Sequence, residues 1–184
     1  MIYPSVLSAV VSALAAECMD NTSKQAWQRL VDVDTLRRGS GVSAADRMQA
    51  DCWIFARLHS QLIPRHWSAL VAKYSTHKGR KVQAISALVP VVASPSSSLF
   101  KAKAVTAWAI PKLRGTEGKR SADMIILPAD FYDMNSWDLD GRPESTRREW
   151  RRNIGKVLDE MVNEALAAAE QVLLGEGVLR LEVA

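Results

Sequence analysis

The side chains best suited to chemistry lie in "SPSSSLFKAKAVTAWAIPKLRG", residues 94–115. Ser96, Ser97 and Ser98 precede a short helical pattern, Lys101 and Lys103 fall in its first turn, and Thr106 comes one turn later. A helix start already presents partial positive charge through its unpaired N–H groups, so lysines there oppose the macrodipole. Hydroxyls, helix-start amides and lysines together bind phosphate well. The stretch is therefore expected to grip a phosphate backbone. The competing reading is a solvated lysine face on a pair of core helices.

A second cationic cluster opens the last helical pattern, "STRREWRRNIGK". Arg147, Arg148, Arg151, Arg152 and Lys156 load its first turns, whereas Asp159, Glu160, Glu164 and Glu170 occupy its second half. That order runs against the helix dipole, at a cost of roughly a few tenths of a kcal/mol per charge. It fits equally an external anionic partner, nucleic acid or acidic protein, and local pairing such as Glu149 with Arg152.

The net charge of +4 conceals a segregation. Between Cys52 and Arg120 stand twelve Lys or Arg and one acid, Glu117, out of 24 basic and 20 acidic residues in the chain. The remainder therefore holds twelve basic and nineteen acidic residues. Such a central block is the footprint of a polyanion partner, double-stranded DNA before others. Its expected contacts are Lys78, Arg80, Lys81, Ser96, Ser97, Ser98, Lys101, Lys103, Thr106, Lys112, Arg114, Lys119 and Arg120.

Sharper motifs fail on spacing. "GTEGKRS" has its glycines too close for a phosphate loop, and Lys119 is followed by Arg120 instead of Ser or Thr. "SWDLDG" would need carboxylates at Ser136 and Arg147 to hold calcium, so an Asp-Gly turn explains it better. His59, His66 and His77 with Cys52 lack paired Cys-x-x-Cys spacing, and Pro64 breaks the helix between them. No Ser/His/Asp or paired-carboxylate arrangement stands out, so no enzyme, metal or cofactor is expected.

The elements that must position these residues are helical. The 184 residues, 48% hydrophobic, suffice for one real core. The expected fold is mainly α: a multi-helix globular domain containing a helix–turn–helix, plus a long C-terminal helix. Residues 1–42 read as an N-terminal helical segment, with helices from Pro4 to about Cys18 and over 21–41. Residues 43–115 form the basic helical domain, 116–143 a loop or extended linker, and 144–184 the long amphipathic helix and tail. Within the basic domain, the stripe Met48, Cys52, Phe55, Ala56 and Leu62 marks one helix, and Pro64 starts the next. The helix from Lys81 should turn Val82, Ile85, Leu88 and Val89 inward, and the helix after "SPSSS" Phe100, Ala104, Val105 and Trp108. Residues 81–113 would thus make the helix–turn–helix, with the serines as its tight turn. "MIIL" is a short strand or extended segment without a partner strand. The last helix should bury Trp150, Ile154, Val157, Leu158, Met161, Ala165 and Val172.

Trp27, Trp53, Trp67, Trp108 and Trp150 fall on apolar stripes and are expected in the core, while Trp137 anchors an irregular loop or meets a partner. Cys18 and Cys52 read as buried free thiols of a reducing cytoplasm. The longest apolar run, "VLSAVVSALAA", is too short to span a bilayer and lacks a basic leader, so no membrane association is expected.

The helix order through "PRHWSALVAKYS", "KVQAISALVPVV", "ASPSSS" and "LFKAKAVTAWAIPKL" resembles region 4 of bacterial sigma factors. Phage late-gene transcription antiterminators of the Q type carry such a module, and the chain resembles that kind of regulator over residues 43–115. The resemblance implies a protein in the bacterial host cytoplasm that binds a promoter-proximal DNA element through the helix over 96–106. It also implies loading onto host RNA polymerase, with contacts to polymerase and sigma factor from the basic last helix or the segment over 124–144. Two alternatives use the same residues: a helical DNA-packaging or architectural protein like a small terminase subunit, and a basic protein-interaction factor.

Overall fold

The computed structural model describes residues 3–16, 44–112 and 125–178. Six α-helices account for most of them, and no strand occurs among the described residues. They are α1 (Val6–Ala16), α2 (Ala44–Gln61), α3 (Pro64–Tyr74), α4 (Lys78–Leu88), α5 (Ser98–Ala109) and α6 (Glu144–Gly175). The expected helix over 21–41, with Trp27 and Cys18, lies outside the described residues.

Local chemistry sets the helix ends. Ile63 is extended and Pro64 follows at the first position of α3, where its fixed φ and missing N–H cost nothing. Ser97 caps α5 by accepting the Phe100 N–H at 3.2 Å. With 32 residues, α6 is about 48 Å long.

Helix α3 is the centre. Ala69, Leu70, Val71 and Ala72 are all buried in sequence, because α1, α4, α5 and α6 each pack against α3. A turn apolar on every side is what such a position demands. Along α6 the residues Ile154, Leu158, Met161, Val162, Ala165, Ala169 and Leu173 form the buried stripe. One contiguous core takes residues from all six helices and from Trp137.

Several sequence expectations change by about one helical position. Helix α2 buries Asp51, Ile54, Leu58 and Leu62, while Cys52 and Ala56 face solvent. The cause is polar. The Asp51 carboxylate lies inside, accepting from Tyr3 Oη at 2.6 Å and Ser12 Oγ at 2.9 Å, and so joins α2 to α1. Rotating α2 to bury Asp51 turns Cys52 and Trp53 outward, and Arg57 stacks on the Trp53 ring at 5.5 Å. In α4 the buried residues are Ala84, Ile85 and Leu88, and Val82 is exposed. In α6, Leu173 replaces Val172 in the core, and Val157 is exposed.

Burial raises the pKa of Asp51, although the hydrogen bonds from Tyr3 and Ser12 oppose the shift. The folded pKa exceeds the unfolded one, so folding takes up a proton between them. This group's contribution is full below about pH 4 and declines as pH rises through the folded pKa. Asp51→Asn keeps an acceptor for Tyr3 and removes the titration. Its expected outcome is a flatter stability profile above about pH 4, read by urea denaturation; a profile parallel to wild type would contradict the assignment.

Between α5 and α6 the chain has no regular structure at 125–128, then forms two short 3-10 turns, Ala129–Tyr132 and Met134–Ser136. Trp137 is fully buried and anchors this connector, donating from Nε1 to the Phe131 carbonyl at 2.7 Å. The Asp-Gly turn forms as expected. Asp138 accepts from the N–H groups of Asp140 and Arg142, and Gly141 takes φ +65°, where a side chain would be strained.

Candidate nucleic-acid interface

The tight turn lies one helix earlier than the sequence suggested. Nine residues, 89–97, separate α4 from α5, too many for a helix–turn–helix connection. By contrast α3 and α4, eleven residues each, are joined by Ser75, Thr76 and His77 alone, and they pack closely.

That turn is built from interlocking caps. The Ser75 N–H closes α3 on the Val71 carbonyl, and Ser75 Oγ accepts the His77 N–H at 3.1 Å. His77 then caps α4, its Nδ1 accepting the Arg80 N–H at 3.2 Å. From the first turn of α4, Lys81 reaches back and donates to the carbonyls of Lys73 and Ser75, both at 3.3 Å. An ammonium at the C-terminal carbonyls of a helix complements its dipole. Burial, and secondarily the charge of Lys73, lowers the pKa of Lys81. Lys81 is thus a brace for the turn and does not face outward with its neighbours.

The rest of the first turn of α4 does. Lys78, Gly79 and Arg80 are exposed, as are Val82, Gln83, Ser86 and Ala87 along the same helix. The Arg80 guanidinium lies over the Phe55 ring at 5.2 Å, within a cluster of Phe55, His59 and Trp67. The exposed face therefore starts basic and continues with small and amide side chains. Sequence reading missed Gln83, Ser86 and Ala87; the signal present was "STH" before "KGRK", obscured because histidine is an uncommon cap.

Helix α5 presents less. Ser96 is buried and bonded to Ser94 Oγ at 2.9 Å, Ser97 is spent on the cap, and Thr106 Oγ1 donates to the Ala102 carbonyl at 2.7 Å. Phe100, Ala104, Val105, Ala107 and Ala109 are buried, so α5 is packed on most of its circumference. Lys101 and Lys103 are half-buried, and Lys103 Nζ sits over the Phe131 ring at 4.2 Å. Ser98 and Lys112 are exposed. Arg114, Lys119 and Arg120 lie outside the described residues.

Part of the basic block is neutralised within the fold. Lys73 meets Asp159 at 3.5 Å and covers the Trp108 ring, whose Nε1 donates to the same carboxylate at 2.8 Å. Arg65 and His66 meet Glu164 at 3.5 and 3.3 Å, and Arg57 meets Glu176 at 3.4 Å. The acidic half of α6 and its C-cap Glu176 thus answer cations of α3 and α2.

No family model, curated protein or solved structure matches the chain. The reading of this surface accordingly rests on the residues themselves.

The start of α6 divides into used and presented cations. Arg147 turns toward the connector, its Nη1 donating to the Met134 carbonyl at 3.4 Å, while its buried Nε finds no partner among the described residues. Arg148 pairs with Glu144 at 2.6 Å and Lys156 with Glu160 at 3.8 Å, both exposed pairs. Arg151 lies over the Trp137 ring at 5.4 Å, and Arg152 is exposed with no ion pair among the described residues. An open groove of ≈ 750 Å³ runs along this face, with Gly155 among its lining residues. The aromatic pair Phe131–Trp137, 6.5 Å between ring centres, holds Lys103 at one ring and Arg151 at the other. The connector therefore fixes one cation from each predicted basic patch. No helix among the described residues is long and apolar enough to cross a membrane.

Proposed function

We propose that this protein binds duplex DNA through α3 and α4 as a helix–turn–helix, with α4 presented to the major groove. The observation that carries the reading is the three-residue turn between two eleven-residue helices, locked by caps, with the outer face of α4 left exposed. Lys78 and Arg80 would meet phosphates at the start of α4. Gln83 and Ser86 carry donors and acceptors suited to base edges, and Ala87 a methyl suited to thymine. Placing the docking helix at α4 moves it from the serine-led helix that the sequence favoured.

The test is DNA affinity across a salt series. Wild type should lose affinity steeply as salt rises. Lys78→Ala with Arg80→Ala should lower affinity about tenfold or more near physiological salt and reduce the slope of log K against log salt by about 2. Binding that ignores salt, or a double variant indistinguishable from wild type, would overturn the reading. The resemblance to sigma region 4 extends the proposal to transcription: a phage antitermination factor that loads onto host RNA polymerase at a promoter-proximal element. Transcription through a terminator on a cognate template, with and without the protein, checks that step; equal readthrough would count against it.

A further inference from the structure

The residues that α6 contributes to the groove carry charges that complement their own reversal. Its α6 residues pair about a point between positions 155 and 156. Reversing the helix about that point sets Arg151 opposite Glu160 and Arg152 opposite Asp159. It also sets Arg148 opposite Asn163 and Gly155 opposite Lys156. Every cation of the first half meets an acid or an amide oxygen of the second half, and Lys156 of the second half meets Gly155, a residue with no side chain. A surface that is complementary to its own reversed copy is what a two-fold interface requires.

We infer that the α6 groove docks a second copy of this chain, the two α6 helices crossing antiparallel at Gly155. A Cβ built at Gly155 meets nothing within 4 Å, so packing within one chain does not call for glycine there. Glycine in mid-helix is otherwise unfavourable. Close approach of another backbone, with the Lys156 stem lying across it, gives the missing side chain a purpose. The acids can serve both roles. Lys73 and Trp108 both engage Asp159 Oδ1, leaving Oδ2 to accept from Arg152 of the second copy. Among the described residues, Glu160 is held only by a 3.8 Å contact with Lys156 on its own helix. Arg152 has no ion pair among the described residues, and Arg151 is steadied over Trp137, which presents its guanidinium ready-placed. The contact is short and polar, so the dimer should be weak and sensitive to salt.

The experiment is sedimentation equilibrium of the full chain with no DNA present, so its outcome is independent of the DNA-binding proposal. Wild type should show a monomer–dimer equilibrium at protein concentrations on the order of 100 µM in low salt, shifting to monomer as salt rises. Arg151→Glu and Glu160→Arg should each weaken the dimer at least about tenfold, and the double variant should recover most of the loss. Residues 151 and 160 lie about 13.5 Å apart along one helix, so recovery cannot come from within a chain. Gly155→Leu should abolish the dimer while circular dichroism stays native. A monomer throughout, or a dimer indifferent to these changes, overturns the inference. So does a series in which the variants leave the mass unchanged and lower DNA affinity instead; the groove would then be a phosphate contact.

Discussion

Replacing Trp137 with alanine is expected to destabilise the protein by about 3–5 kcal/mol. The indole is fully buried although it sits in an irregular connector. Phe100 packs edge-on to it with ring centres 5.4 Å apart, and Phe100 in turn meets Trp150 at 5.5 Å. Truncation empties a large volume between α5 and α6. It also leaves the Phe131 carbonyl without its donor and Arg151 without a ring to lie on. These losses fall together because one side chain supplies the packing, the donor and the ring. Trp137→Phe separates them: it keeps much of the packing, loses the N–H donor, and should cost about 1–3 kcal/mol. Urea denaturation of both variants measures the difference. A loss below about 1 kcal/mol for alanine would show that the connector does not depend on this anchor.

Leu70→Ala should cost about as much, near the upper end of the 2–5 kcal/mol seen for such truncations. Leu70 has no exposed surface and lies in the stretch of α3 that is buried in every direction. Four other helices pack against α3, and they cannot all move inward at once. The cost of a truncation depends on how far the surroundings collapse, and here they collapse little. Val82→Thr, on the exposed face of α4, should change stability by no more than about 0.5 kcal/mol. The pair thus tests whether the α4 face is free of a structural duty. A large loss for Val82→Thr would mean that the face is covered within the molecule and unavailable for DNA.

Much of the helix content was legible because its causes are local. Pro64 starts α3, a serine caps α5, Gly141 permits the turn before α6, and each acts on its own neighbours. The inward faces were read less well where a polar residue was the deciding one. Asp51 belongs inside α2 only because Tyr3 and Ser12, 48 and 39 residues away, supply its donors. A hydrophobic stripe drawn without those partners turns the helix too far and buries Cys52. Trp53 went wrong for the same reason. Trp108, expected in the core, is half-buried because its Nε1 reaches the exposed carboxylate of Asp159.

The basic block shows the same limit at the level of charge. Composition by itself determined that twelve cations and one acid share the middle of the chain, and that the opposite balance holds elsewhere. Only the tertiary structure decided which cations remain presented. Arg65 and Lys73 find their acids 99 and 86 residues along the chain, across the α3–α6 contact. Lys81 finds carbonyls 8 and 6 residues behind it, once the turn has folded α4 back on α3. Helix starts and stops follow from forces that reach a few residues, so the sequence alone determines them. Which side of a helix is covered, and which charge is answered, depends on elements that meet only when the chain is packed.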